Sequence, residues 1–138
     1  MTHWLYPANI QYYDVLGAFA EETTYWPVKS RVAVGDKIYI YLAAPFKQIA
    51  FVSEIVQTDL TQNAIYNDIK PFFKQPPENK GDEKPFMQLT KIQRLAINED
   101  SPLNLSKLRV HGLKGMLMGP RNLGKCTELY NYVKGHLA

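Results

Sequence analysis

One cysteine, Cys126, stands in a chain of 138 residues. A lone thiol excludes an internal disulfide and fits a reducing cytosol. The three histidines, His3, His111 and His136, are scattered, without metal-ligand spacing and without a cysteine pair beside them. No metal site is expected from such a set. Long apolar runs are also missing, and none approaches the roughly 18–20 residues that a membrane span needs. The opening "MTHWLYPANI" lacks the basic and long apolar regions of a signal peptide. The expectation is a cytoplasmic protein with no membrane role. Enzyme signatures are absent as well: no dinucleotide fingerprint, phosphate loop, nucleophile elbow or zinc-protease helix. The chain is expected to need no cofactor.

Acid is locally missing. From Ser101 to Thr127 there is no Asp or Glu, while Lys107, Arg109, Lys114, Arg121 and Lys125 fall within that stretch. The whole chain carries a formal charge of only +3. A basic stretch in an otherwise balanced chain fits an anionic partner such as nucleic acid, and equally fits a solvated face.

What is present is enough for one core and one domain, spanning residues 1–138. His3–Tyr6 reads as a first strand ended by Pro7. Asn9 reads as the cap of a helix from Ile10 to Glu22, because Tyr12, Val15, Leu16 and Phe19 follow a helical period. Residues 23–34 read as an irregular connection. Gly35-Asp36 is a turn signal. Lys37–Ala44 and Gln48–Thr58 then alternate as two strands. In the second, Ile49, Phe51 and Ile55 are expected on one face, and Ala50, Val52 and Val56 on the other. Both faces carry apolar residues, which suggests a curved sheet with a closed interior, such as a small barrel. Residues 60–85, with Pro71, Pro76, Pro77, Gly81 and Pro85, read as a long irregular loop. Phe86–Ala96 returns to strand character. Ser101-Pro102 can start a short helix carrying Leu105 and Leu108, and Lys114–Met118 reads as another strand. The last segment reads as an amphipathic helix, with Cys126, Leu129, Tyr132, Val133 and Leu137 on one face. The order defines an α+β chain with a mostly antiparallel sheet.

Two constellations carry chemistry. Lys29, Ser30 and Glu54 would make a small amide hydrolase if they converged. The aromatics Trp4, Tyr25, Trp26, Tyr39 and Tyr41 crowd the first 41 residues. Most fit a core, but Trp26 sits beside Pro27, Lys29 and Ser30 in what reads as a loop. An exposed loop aromatic near basic residues is how proteins stack a nucleobase. On that reading Trp26 keeps one ring face open.

Quoted in order, "HWLYPAN", "TYWP", "VGDKIYIYLAAPFKQIAFVSEI" and "GLKGMLMGPRNL" resemble the EVE domain of the PUA-like superfamily, which also holds YTH and ASCH domains. The resemblance spans nearly the whole chain. It implies a PUA-like, mostly antiparallel β pseudo-barrel with flanking helices. It also implies a non-catalytic module that binds nucleic acid, RNA or DNA, with a modified base in an aromatic-walled pocket. Carried over, Trp26 becomes the cage aromatic and Asn9 the polar reader. Ser30, Leu42 and Ala43 become the pocket rim, and Trp4 becomes either wall or core. Independently of the resemblance, the basic residues Lys29, Arg31, Lys107, Arg109, Lys114, Arg121 and Lys125 are expected to hold phosphates. The connection after Trp26 is shorter than in typical EVE domains. A second cage tryptophan is absent, with Tyr66, Phe72 and Phe73 as the candidates to replace it. The alternatives are an ASCH-like hydrolase of a small amide or nucleoside through Lys29, Ser30 and Glu54, and a small-molecule or protein-interaction module on the same fold.

Overall fold

The computed structural model describes residues 1–74 and 85–137. Pro76, Pro77 and Gly81 of the expected long loop lie outside them. Strand β3 (Lys37–Leu42) and strand β4 (Gln48–Leu60) form the central hairpin. A turn at Gly35, whose φ is +95°, leads into β3, and the hairpin itself closes at residues 43–46, where the Phe46 amide donates to the Ala43 carbonyl at 3.3 Å. Ile38, Ile40 and Leu42 enter one core, while Tyr39 and Tyr41 enter another on the opposite face.

The two-fold period does not survive along β4. Ile40 pairs with Phe51 and Tyr41 with Ile49, so Ala50 is the extra residue of a bulge. Phe51 and Ile55 therefore lie in the first core and Ile49 in the second, against the expected grouping of all three. Further on, β4 pairs with β5 (Phe86–Arg94) through more register shifts. Lys91 in β5 and Asp59 in β4 take φ of +54° and +59° there. Such bulges bend and twist a sheet.

Strand β1 (His3–Ala8) lies parallel to β3, and β6 (Arg121–Asn122) lies antiparallel to its start. β1 runs through Pro7 rather than ending before it. The partner β6 covers only Trp4 and Leu5, so Pro7 falls where that edge is open and a missing N–H does little harm. Strand β2 (Thr24–Pro27) pairs antiparallel with β5. The expected irregular connection thus holds a strand, and Trp26 lies on it. The sheet order is β2-β5-β4-β3-β1-β6, antiparallel at every pair except β1 with β3. Among the described residues the two end strands do not pair, and the sheet forms a half-barrel with flanking helices, the α+β, mostly antiparallel pseudo-barrel class expected.

The first helix is much shorter than its period suggests. Helix α1 covers only Val15–Ala18, capped by Asp14, whose Oδ1 accepts from the Gly17 amide at 3.0 Å. The preceding residues are drawn into extended contacts instead. The Asp14 amide donates to the Phe72 carbonyl at 2.6 Å, Tyr13 bridges Phe73, and the Lys74 amide donates to the Tyr12 carbonyl at 2.9 Å. Val15 and Phe19 are buried as expected, but Tyr12 and Leu16 are exposed.

Helix α2 (Gln62–Ile69) occupies part of the expected loop. Thr61 caps it, and Ile65 and Ile69 pack with Phe86 over the β2–β5 end of the sheet. Helix α3 (Leu105–Val110) is capped by Asn104. Residues 114–118 are irregular, and the late strand falls instead at β6. Helix α4 (Thr127–Gly135) closes the chain. Leu129 and Val133 are buried in the second core, with Cys126, Tyr132 and Leu137 packed against it.

Candidate functional site: an aromatic pocket at the open seam

A pocket of about 660 Å³ lies where the half-barrel fails to close. Its walls come from both ends of the sheet order. Tyr25, Trp26 and Pro27 come from β2 at one end, and Phe86 comes from the neighbouring β5. Tyr6 and Pro7 come from β1 beside the other end, joined by Leu117–Pro120 just before β6. Tyr12, Tyr13 and Phe73 fill one wall, and Ala43 and Ala44 supply small side chains after β3.

The wall is an aromatic stack built in layers. Tyr13 meets Trp26 edge-on, with centroids 5.6 Å apart and planes at 76°. Tyr13 also meets Phe73 edge-on at 5.2 Å. Behind them, Phe19 contacts Trp26 at 5.6 Å and stacks on Phe51 at 5.0 Å. Arg94 fixes this layer by donating to the carbonyls of Phe19, Ala20 and Glu21. Such edge-to-face pairs favour a defined ring orientation. The Tyr13 hydroxyl is buried and has no hydrogen-bond partner among the described residues. Burial, reinforced by the Asp14 charge, pushes its phenol well above the ordinary value.

Polar groups are few and lie at the rim. Asn9 Oδ1 accepts from the Gln11 amide at 2.8 Å, which turns the carboxamide NH₂ into its available donor. Gln11 and Lys29 also line the pocket and are exposed. Lys29 is the one charged side chain among the described lining residues. Inside, the Tyr6 hydroxyl shares a 2.6 Å hydrogen bond with Ser30 Oγ and accepts from the Lys29 amide at 3.3 Å. That pair ties the segment after β2 to β1 across the seam.

The expected site residues divide accordingly. Trp26, Asn9, Ala43 and Lys29 line the pocket, and Ser30 supports it through Tyr6. Trp26 is not the open shelf of a loop: it is 8% exposed and part of the first core. Leu42 is fully buried behind the pocket. Trp4 lies at the far end of β1, where its indole donates to Asp36 at 3.1 Å. Arg31 is exposed and outside the lining. Lys107 and Arg109 lie on α3, which is anchored through Leu108 in the second core. Lys107 there donates to the Asp100 carbonyl at 2.9 Å. Lys114 and Lys125 are exposed and do not line the pocket. Arg121 spends its guanidinium on the carbonyls of Lys114 and Met116.

Glu54 does not join Lys29 and Ser30 at the pocket. Its carboxylate meets Lys37 at 3.1 Å and Lys91 at 3.4 Å. The hydrogen bond and charge of Lys37, with Lys91 behind, hold it below the ordinary carboxylate range. Among the described residues no cluster of His, Cys, Asp and Glu could hold a metal ion.

Sequence reasoning missed several wall residues: Tyr6, Tyr12, Tyr13, Phe86 and the 117–120 segment. The aromatic pair in "QYYD" is a usable signal, but its helical spacing pointed elsewhere. Of the three candidates for a second aromatic, Phe73 lines the pocket. Phe72 approaches Tyr13 at 6.1 Å, and Tyr66 packs into the cluster under α2.

The fold matches that of ASCH proteins of known structure. The chain is similar in fold to the ASCH protein of Zymomonas mobilis. A single-substitution variant of that protein aligns over 100% of both chains with a TM-score of 0.72 and 11% identity. The unsubstituted form aligns over 99% of this chain and 96% of its own, with a TM-score of 0.65 and 10% identity. A structural-genomics protein from Pseudomonas syringae covers 96% and 97%, with a TM-score of 0.60 and 14% identity. No protein-family model matches the sequence, and no curated protein matches it.

Proposed function

We propose that this chain is a non-catalytic nucleic-acid-binding module of EVE type, which takes one base, in modified form, into the seam pocket. The observation that carries the reading is the pocket itself: seven aromatic side chains and few polar groups around a space of about 660 Å³. Ligand sites of roughly 300–1,000 Å³ with mostly apolar walls and a few placed polar groups suit a flat heterocycle. Asn9 would donate to a polar edge of the base, and Lys29 would meet an adjacent phosphate. The position of Glu54 in an ion-paired cluster with Lys37 and Lys91 supports a binding role over an amide hydrolase. No described helix is long and apolar enough to cross a membrane. The lone cysteine supports a cytosolic place of action.

Magnitudes divide the work. One stacked base contributes about 1–3 kcal/mol. Extracting a base from a duplex costs a few kcal/mol, so a single-stranded or already splayed base is the favoured substrate. The rest of the affinity must come from phosphate contacts, which carry a salt dependence.

The test is a panel of fluorescein-labelled nonamers, RNA and DNA, single- and double-stranded. Each carries at its centre an unmodified, 5-methylcytosine or N6-methyladenine base. The expected outcome is preference for a single-stranded, modified member. Lys29→Gln should weaken it and reduce the log–log salt slope by about one. Equal, negligible binding across the panel would sink the reading.

A further inference from the structure

The segment before β6 has two features that the base-pocket reading leaves unexplained. Leu117, Met118, Gly119 and Pro120 line the pocket, yet Met118 is 83% exposed and Met116 is 72% exposed. An exposed apolar side chain at a pocket mouth gains burial when a ligand enters. The segment is also irregular, with no ladder of its own from residue 114 to 118. One side chain braces it: the Arg121 guanidinium donates to the Lys114 and Met116 carbonyls. Arg121 is in turn anchored in β6 opposite Leu5. Gly115 takes φ of +71° within that loop, so the chain can fold back over the guanidinium.

Tyr13, Trp26 and Phe73 line the pocket together with Leu117–Pro120, and β2 and β6 stand at opposite ends of the sheet order. A ring that stacks on one of those aromatics leaves its second face free for another lining side chain. We infer that Met118 is the side chain that closes over the second face of the bound ring, and that Arg121 is the positioning residue that holds it there. This rests on the base-pocket reading. A thioether suits the role: it is unbranched, polarisable and adapts to an aromatic face. Arg suits the other, because its rigid planar fork presents two fixed donors to two carbonyls, which a lysine ammonium on a flexible stem holds less well. Arg121 then serves pocket shape and not a phosphate.

The experiment uses the full chain and the panel nonamer that the wild-type protein binds most tightly. Dissociation constants, dissociation rates, melting temperature and salt slope are read for Met118→Ala, Met118→Leu, Arg121→Ala, Arg121→Lys and the double alanine variant. Met118→Ala should weaken binding about 2- to 10-fold, mainly by faster dissociation. Its melting temperature should stay unchanged, because the side chain is exposed. Met118→Leu should keep most of the affinity. Arg121→Ala should lose a similar factor with the wild-type salt slope, and Arg121→Lys should lose it too. The double variant should bind no worse than the weaker single variant, since one residue acts through the other. Additive losses, full affinity for Arg121→Lys or a salt slope lowered by one in Arg121→Ala would each overturn the inference. So would wild-type affinity in Met118→Ala. These results leave the base-pocket reading standing. A wild-type protein that binds no member of the panel overturns both.

Discussion

Tyr13 and Trp26 meet edge to face at 5.6 Å, although one precedes α1 and the other lies on β2. This contact converts Trp26 from a loop aromatic into part of a wall that is also core. One of its sides supports Phe19 and the interior, and the other borders the pocket.

Trp26→Ala is therefore expected to cost about 3–5 kcal/mol of folding stability, the range for removing a large buried aromatic. Urea denaturation measures it. A loss below about 1 kcal/mol would place the ring outside the core. Trp26→Phe should recover part of the stability because it keeps an apolar ring in the layer. Binding has to be compared under conditions where both variants remain folded.

Tyr13→Phe should behave in the opposite way. The hydroxyl it removes is buried and unpartnered among the described residues. Removing an unsatisfied polar atom while keeping the ring is neutral to stabilising, by up to about 1–2 kcal/mol. Thermal melts of the free protein check this. A clear destabilisation would mean that the hydroxyl has a partner in solution.

Asp36 governs an acid limb. It is buried at the turn before β3 and accepts from the Thr2 amide at 2.9 Å, the Trp4 indole at 3.1 Å and the Ala33 amide at 3.0 Å. Burial pushes its carboxyl up, but these donors outweigh burial, and the net value lies below the ordinary one. The unfolded chain then takes up the proton first as pH falls. The stabilisation is complete above the unfolded value of about 4 and is lost as pH drops through the lower folded value. Asp36→Asn should flatten this part of the stability–pH curve. It should also lower stability at pH 7 by about 2–4 kcal/mol, since three donors lose a charged acceptor. An unchanged acid limb in the variant would assign that limb to other carboxylates.

The legible parts of the fold are the local ones. The β3–β4 hairpin follows from a Gly-Asp turn that starts β3, a short connection at residues 43–47 and apolar strand residues within a short span. The α4 face follows from a helical period that the second core uses as written. The illegible parts depend on distant partners. Tyr12, Val15, Leu16 and Phe19 have helical spacing, yet residues 12–14 bond to residues 72–74. β2 has no strong period of its own and becomes a strand because β5 offers a ladder. Helix α2 was hidden by the prolines around it.

The candidate site shows the same division. Trp26 and Lys29 could be named from residue type, Asn9 and Ala43 from the resemblance to the EVE domain, and the structure gathers them around one pocket. Charge alone could not distinguish a phosphate contact from a scaffold contact. Arg121 stands in a basic stretch, but its guanidinium is committed to two backbone carbonyls. By itself the sequence determined the central hairpin, the last helix, the α+β class and the aromatic supply, because turn chemistry and apolar period act between near neighbours. Tertiary structure alone decided the bulges, the open seam and which aromatics face it. Those depend on backbone groups far apart in the chain finding hydrogen-bond partners while two cores fill on opposite faces of one sheet.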